Sequence, residues 1–379
     1  MLKNNTSALG IIFPNSYDAI VPEFTNVRLM ASIPFASRYR LVDFILSSMT
    51  GSGIKNVSLL VNKNYLSLMD HLDAGREWDL VRKNGGLHLF PPNVERTSTV
   101  YTGRVSAIAG ILEFLKDQKE KYVVMADSNI AANVDFKAMI QAHVETGADV
   151  TCAYTEQEIP EGYMRMRNEQ GFYYSYDIEE GRITEIKVNL KKEGVQNLGM
   201  NMFVVERELL IELINTAFVR GLRYWERDVL LNQLDSLNVQ AYKFEGYTAR
   251  ITSVKSYFEE NMKLLDEANL DALFSGNAIN TKIRDDNPTR YIKGSKVVNV
   301  MSADGCLIEG EVENSILFRG VKIEKGAKVK NCILMQDTVV KAGAEIENLI
   351  TDKQVTISED KKVNGTELYP LYIAKRHTV

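Results

Sequence analysis

The side chains that most often do chemistry are thinly spread in this sequence. Its four histidines, His71, His88, His143 and His377, are scattered with no metal-ligand spacing. Its cysteines, Cys152, Cys306 and Cys332, are an odd and sparse set. They argue against a disulfide framework and for a reducing cytoplasm. The net charge is −5, which makes the chain a poor partner for nucleic acid or an anionic membrane. No apolar run approaches the ~20 residues that span a bilayer. Met1 to Leu9 carries one lysine and no apolar core, so no signal peptide is expected.

The elements that must position any site fall into two textures. Up to about residue 275, β-rich runs at 8–13, 56–62, 122–126, 149–154, 201–205 and 239–244 alternate with helical patterns at 104–117 and 135–146. This alternation predicts an α/β domain with a parallel or mixed central sheet. Residues 163–184 read as a hairpin with aromatic strands around Gly171 and Gly181. Residues 254–273 read as one amphipathic helix closing the domain, followed by a linker over 276–295.

From 296 to 379 apolar residues recur six apart, and whole sets of them recur 17 apart. Cys306, Ile323, Val340 and Ile357 form one series. Val312, Val329 and Ile346 form a second, and Val300, Leu317 and Leu334 a third. Glycines 310, 320, 326 and 343 fall where such a coil would turn. This predicts a left-handed parallel β-helix of hexapeptide repeats. Acyltransferases built on such coils place a catalytic histidine there. No histidine lies between residues 144 and 376, so that chemistry is not expected.

The stretch IPFASRYRLVDFILSSMTGSGI, residues 33–54, closely resembles a motif of the bacterial ADP-glucose pyrophosphorylase (glucose-1-phosphate adenylyltransferase) family. GYTARITSVKSYFEENMKLL, residues 246–265, resembles a second, and the coil sequence from Ser302 to Val340 resembles that family's β-helix start. The resemblance runs from about residue 8 to 360. It implies a Rossmann-like nucleotidyltransferase domain ahead of the β-helix and adenylyl transfer from ATP to glucose 1-phosphate with Mg²⁺. It also implies a tetramer under metabolite control.

The resemblance places the catalytic parts at positions that have changed. A glycine-rich phosphate loop is expected after the first strand, yet no glycine lies between Gly10 and Gly51. Segment 14–25 brings Pro14, Asp18 and Glu23 instead, so it reads as a surface connection. The loop lysine falls on Met30. The second metal carboxylate falls on Arg250, a cation where a cation should bind. In YTGRVSAI, residues 101–108, Gly103 is kept, while the nucleotide aspartate is Ser106 and a threonine is Arg104. Val188 and Asn189 replace a Glu-Lys pair on the sugar side. Asp127 keeps the first metal aspartate, and Gly199 keeps a close backbone approach. Asp228 falls on a structural aspartate. Arg28 and Arg40 match basic positions near the family's effector pocket, though a surface ion pair would explain them equally.

The combined expectation is the D-type, non-catalytic partner of the family: a cytoplasmic chain that assembles with a catalytic homologue and activates it. It would hold no metal strongly and would respond to a phosphorylated metabolite. A weakly active adenylyltransferase and a free-standing sugar-phosphate sensor are the alternatives.

Overall fold

The computed structural model describes residues 7–92 and 103–379. Nine strands form the central sheet. They run in the order Gly86–Phe90, Asn56–Leu60, Ala8–Phe13, Tyr122–Asp127, Val195–Glu206, Val150–Glu158, Val239–Lys243, Arg182–Val188 and Tyr174–Glu179. The first four are mutually parallel, and Val195–Glu206 turns antiparallel against Tyr122–Asp127, so the sheet is mixed. Its central strands are buried along their whole length because both faces are covered. Ala8 and Ile12 enter one core with Val124 and Val204, whereas Leu9 and Ile11 enter the other with Val123 and Phe203.

Helices break where the local chemistry demands. The run 104–117 is two helices, Arg104–Ala109 and Leu112–Lys116, parted at Gly110, a weak helix former. The run 254–273 is Val254–Lys263 and Glu267–Phe274. Asp266 starts the second by accepting the N–H groups of Ala268 (3.0 Å) and Asn269 (3.2 Å). The hairpin is narrower than its aromatic pattern suggests. Tyr174–Glu179 and Arg182–Val188 join through Glu180 and Gly181, both at positive φ, which suits a two-residue hairpin turn. Tyr163 lies instead in the short helix Glu161–Met164. Among the described residues, no helix is long and apolar enough to cross a membrane.

The parallel coils begin at Arg290–Tyr291, which pairs with Leu307–Ile308. Val312, Val329 and Ile346 stack as their spacing predicts, and so do Ile323, Val340 and Ile357. Two members of the predicted series are displaced. Ile308, not Cys306, stacks on Ile323, and Val300 stacks on Ser315 rather than Leu317. One coil advances 15 residues where the others advance 17: Val297 lies on Val312 and Ile308 on Ile323, whereas Tyr291 lies on Ile308 and Val312 on Val329. Gly320, Gly326 and Gly343 take positive φ at the corners. Gly310 does not; there a side chain would strike the backbone of the next coil.

Two side-chain ladders run along the coils. Asn299, Asn314 and Asn331 sit at positive φ and bond in series, each link 2.7 Å. On the outer face Lys296, Glu311, Lys328, Glu345 and Lys362 stack in that order, alternating in sign. A third core, shared by both domains, joins Met30, Phe24 and Tyr257 to Ile316, Ile333, Met335 and Ile350 of the coils.

Candidate functional site

Strands Ala8–Phe13 and Tyr122–Asp127 end together, with Phe13 beside Asp127 in register. This is the crevice where an open α/β sheet holds ligands. Asp127 is buried there, 1% exposed, and one carboxylate oxygen accepts from Ser16 Oγ at 2.8 Å. The other is paired with Arg104 Nη2. Arg104 Nη1 pairs with Glu226, which is fully buried in the π-helical turn Trp225–Leu230. The guanidinium lies over the rings of Phe13 (5.4 Å) and Phe203 (5.9 Å). Burial raises the Asp127 and Glu226 carboxyl groups above their ordinary values, and Arg104 opposes that. Burial alone would lower Arg104, but its two carboxylates outweigh it and hold the guanidinium above its usual range.

Segment 14–25 is a plug tied to its surroundings rather than a surface connection. Tyr17, at φ 67°, donates its hydroxyl to Phe172 O (2.7 Å) and accepts from Asn201 Nδ2 (2.7 Å). Asp18 accepts the Met30 N–H (2.7 Å) and Asn15 Nδ2 (2.7 Å), and burial pushes its carboxyl up to about 7. What remains of the crevice is a cavity of about 190 Å³ lined in part by Ser16, Tyr17, Gly103, Arg104 and Tyr224. That is below the roughly 300–1,000 Å³ of an ordinary ligand pocket.

Arg250 is 4% exposed and lies on the short strand Ala249–Arg250, which pairs with Ile130–Ala131. It donates to Gly199 O (3.0 Å) and to Thr155 Oγ1 (3.5 Å), with Tyr163 beneath it at 5.9 Å. Its Nε finds no partner among the described residues. Gly199 is held by its neighbours: an added Cβ would lie 2.7 Å from Tyr176 Oη. Gly103, at φ 83°, lines the cavity and lets the chain pass under the Arg223 carbonyl. Met30 is fully buried in the shared core. Asp228 caps its own turn through the N–H groups of Arg223 (2.9 Å) and Tyr224 (3.0 Å). Tyr101 and Thr102 of the predicted nucleotide stretch lie outside the described residues.

These residues do not fit the Mg²⁺ that the family reaction uses. Both oxygens of Asp127 already have donors, and a guanidinium holds Glu226. Arg250 brings positive charge to the position expected to carry the second carboxylate.

A second cavity, of about 550 Å³, opens between the two domains. It is lined by seven lysines and arginines against one carboxylate, Asp70, so its chemistry is that of an anion site. Lys282 lies 3.5 Å from Asp70, and Arg284 lies 3.2 Å from Asp286. Arg38, Arg40, Arg319, Lys353 and Lys375 make no ion pair within 4 Å among the described residues, although Asp43 and Asp70 favour the charge of Arg40 from farther away. Arg40 holds Ser67 O at 2.6 Å and starts helix Leu41–Gly51. Burial, then nearby cations, lower Arg40 to about 10 and Lys353 to about 7. Arg28 is not on this wall. It is buried behind it, 2.6 Å from Asp352 of the coils. Asp352 also accepts from Tyr372 Oη (2.6 Å).

Three of these features escape a reading by motif. Glu226 lies two residues from the aspartate that the motif marks. Arg104 stands out only as a departure from a threonine. Lys353 and Arg319 lie in the repeats, where only proximity in space marks them.

Residues 24–267 match the nucleotidyl transferase family model, and residues 282–368 match the GlmU-like C-terminal hexapeptide model. The fold and crevice thus define a nucleotidyl transferase domain carrying a left-handed hexapeptide β-helix. The chain is 34% identical over 373 residues to the glycogen biosynthesis protein GlgD of Bacillus subtilis (strain 168), covering 98% of this chain and 96% of that protein. It is 35% identical over 327 residues to GlgD of Geobacillus stearothermophilus, covering 86% and 83%. To the glucose-1-phosphate adenylyltransferase of Bacillus mycoides (strain KBAB4) it is 32% identical over 307 residues, or 79% of each chain. The chain belongs to the glucose-1-phosphate adenylyltransferase family and is similar to its GlgD members over nearly its whole length.

Proposed function

We propose that this chain is a catalytically deficient subunit for glycogen biosynthesis, which assembles with a catalytic glucose-1-phosphate adenylyltransferase and activates it. The observation that carries this reading is a contrast between two sites. The catalytic crevice is filled by the Tyr17 plug and the Arg104–Asp127–Glu226 cluster, while the interdomain cavity keeps its unpaired cations. A chain of this kind acts by binding one conformation of its partner better than another. Mixing the two chains is expected to raise the partner's turnover, or lower its apparent substrate constant, by roughly 5–150-fold, the usual span of coupling between sites. Co-expression, sizing and kinetics test it. Two chains that sediment apart, or a partner whose kinetics do not change at saturation, would refute the regulatory role.

In this reading the basic cavity takes the phosphate groups of a metabolite. Lys353 gives the site a pH signature. A bound anion favours the charged ammonium and raises its value from about 7. Binding therefore takes up a proton above pH 7, and affinity falls as pH rises, by up to about tenfold per pH unit. Sulfate does not titrate in this range and serves as the probe. Calorimetry at pH 8 in two buffers of different ionisation enthalpy should show proton uptake, and Lys353→Gln should abolish it. A proton-neutral reaction would contradict the assignment.

A further inference from the structure

The misfit between the family's metal and this crevice carries information of its own. Arg104, Asp127 and Glu226 come from three separate segments and meet at one guanidinium. Its side chain is 12% exposed, and the two carboxylates are 1% and 0% exposed. Two buried carboxyl groups side by side cannot both ionise unless a cation lies between them; otherwise one keeps its proton. A metal-dependent crevice takes that cation from solution. Here the sequence supplies it, and the rings of Phe13 and Phe203 fix the guanidinium where it stands.

We propose that Arg104 is a tethered cation that takes the place of a divalent ion, so that the crevice keeps its carboxylates and its shape while a metal is shut out. The proposal rests on the family reading of Asp127 as a metal carboxylate. Charge arithmetic gives it a direction. Arg104 brings one positive charge to two carboxylates, and Oε2 of Glu226 finds no partner among the described residues. A divalent ion would balance both carboxylates, so the guanidinium holds the place that such an ion would need. Removing the guanidinium should uncover a cation site that the natural chain does not offer.

The test titrates the full chain with Mn²⁺ and follows the free ion by electron paramagnetic resonance. The unmodified chain should bind none in this crevice up to millimolar concentration. Arg104→Ala should bind one Mn²⁺ per chain, at least about tenfold more tightly than any site of the unmodified chain. Adding Asp127→Asn to Arg104→Ala should remove that binding. Arg104→Ala leaves two buried carboxylates facing each other, so its melting temperature should fall, then climb with Mn²⁺ as mass action requires. The melting temperature of the unmodified chain should not respond. Should Arg104→Ala fail to fold, Arg104→Gln carries the same test, since it keeps hydrogen-bond donors without the charge.

Mn²⁺ binding by the unmodified chain that Asp127→Asn abolishes would overturn the proposal. So would a folded Arg104 variant that ignores Mn²⁺ in both readouts. All of these measurements concern this chain alone, so their failure is distinguishable from failure to activate a partner.

Discussion

Replacing Arg28 with alanine is expected to lower the unfolding free energy at pH 7 by about 3–5 kcal/mol, the usual cost of stranding one member of a buried ion pair. Arg28 and Asp352 are 324 residues apart in sequence, yet they meet at 2.6 Å with side chains 3% and 0% exposed. Their pairing fastens the coils to the α/β domain beside the shared core. Burial alone would raise Asp352. Arg28, Tyr372 and the Lys353 N–H outweigh it, so the carboxyl lies below its ordinary value. Its contribution is therefore present in full above the unfolded value, near 3.9, and is lost as pH falls through the folded one. Urea denaturation at pH 7 and at a series of values below the unfolded pKa checks this: the gap between the unmodified chain and Arg28→Ala should be wide at pH 7 and should narrow as the pH falls. The apolar pair Arg28→Met with Asp352→Leu should cost far less than Arg28→Ala, because no charge is left stranded. A pH-independent gap would mean that the arginine matters for packing alone.

The second large effect is an absence. The purified chain, supplied with ATP, glucose 1-phosphate and Mg²⁺, is expected to make no ADP-glucose above the uncatalysed background. Arg250→Asp alone should not restore synthesis. Tyr17 would still line the cavity, tied to Phe172, and Arg104 would still hold Asp127. Met30→Lys, which supplies the missing lysine on paper, would place an ammonium in a fully buried apolar position. It should destabilise the fold by at least about 3 kcal/mol. Residues that act as a unit are strongly non-additive, so rescue requires the loop, Met30, Arg104 and Arg250 to change together. Turnover in the unmodified chain that Asp127→Asn abolishes would end the non-catalytic reading.

Much of the architecture was legible because its periods are long and regular. The 17-residue recurrence is physical stacking, as Val312 on Val329 on Ile346 shows. It misplaced Cys306 and Val300 because a single coil of 15 residues breaks the count, and two residues are enough to move a side chain off its neighbour. The departures at Met30 and Arg250 could be read residue by residue against a motif. What takes their place could not. Segment 14–25 is glycine-free and carries Pro14 and two acidic residues, which reads as a surface connection, yet Tyr17 and Asp18 are buried by partners at Phe172, Asn201 and Met30. Glu226 meets Arg104 across 122 positions, a distance at which sequence carries no pairing signal. Arg28 was open between an effector contact and a surface ion pair; the structure pairs it with Asp352, and that pair is buried.

The column Lys296, Glu311, Lys328, Glu345, Lys362 has a consequence for how the coils find their order. Each rung faces its opposite in the correct frame, with Lys296 3.0 Å from Glu311 and Lys328 3.1 Å from Glu345. At the surface such pairs contribute little to the finished fold, about 0–1 kcal/mol each. Their value lies in the mistakes they discourage. Nearly identical apolar rungs would let a growing solenoid skip a coil, since Val312, Val329 and Ile346 fill the same place almost interchangeably. Skipping one coil here sets lysine on lysine or glutamate on glutamate, turning attractions into repulsions. The alternating signs act as proofreading marks, legible at the moment each coil closes on the one before it.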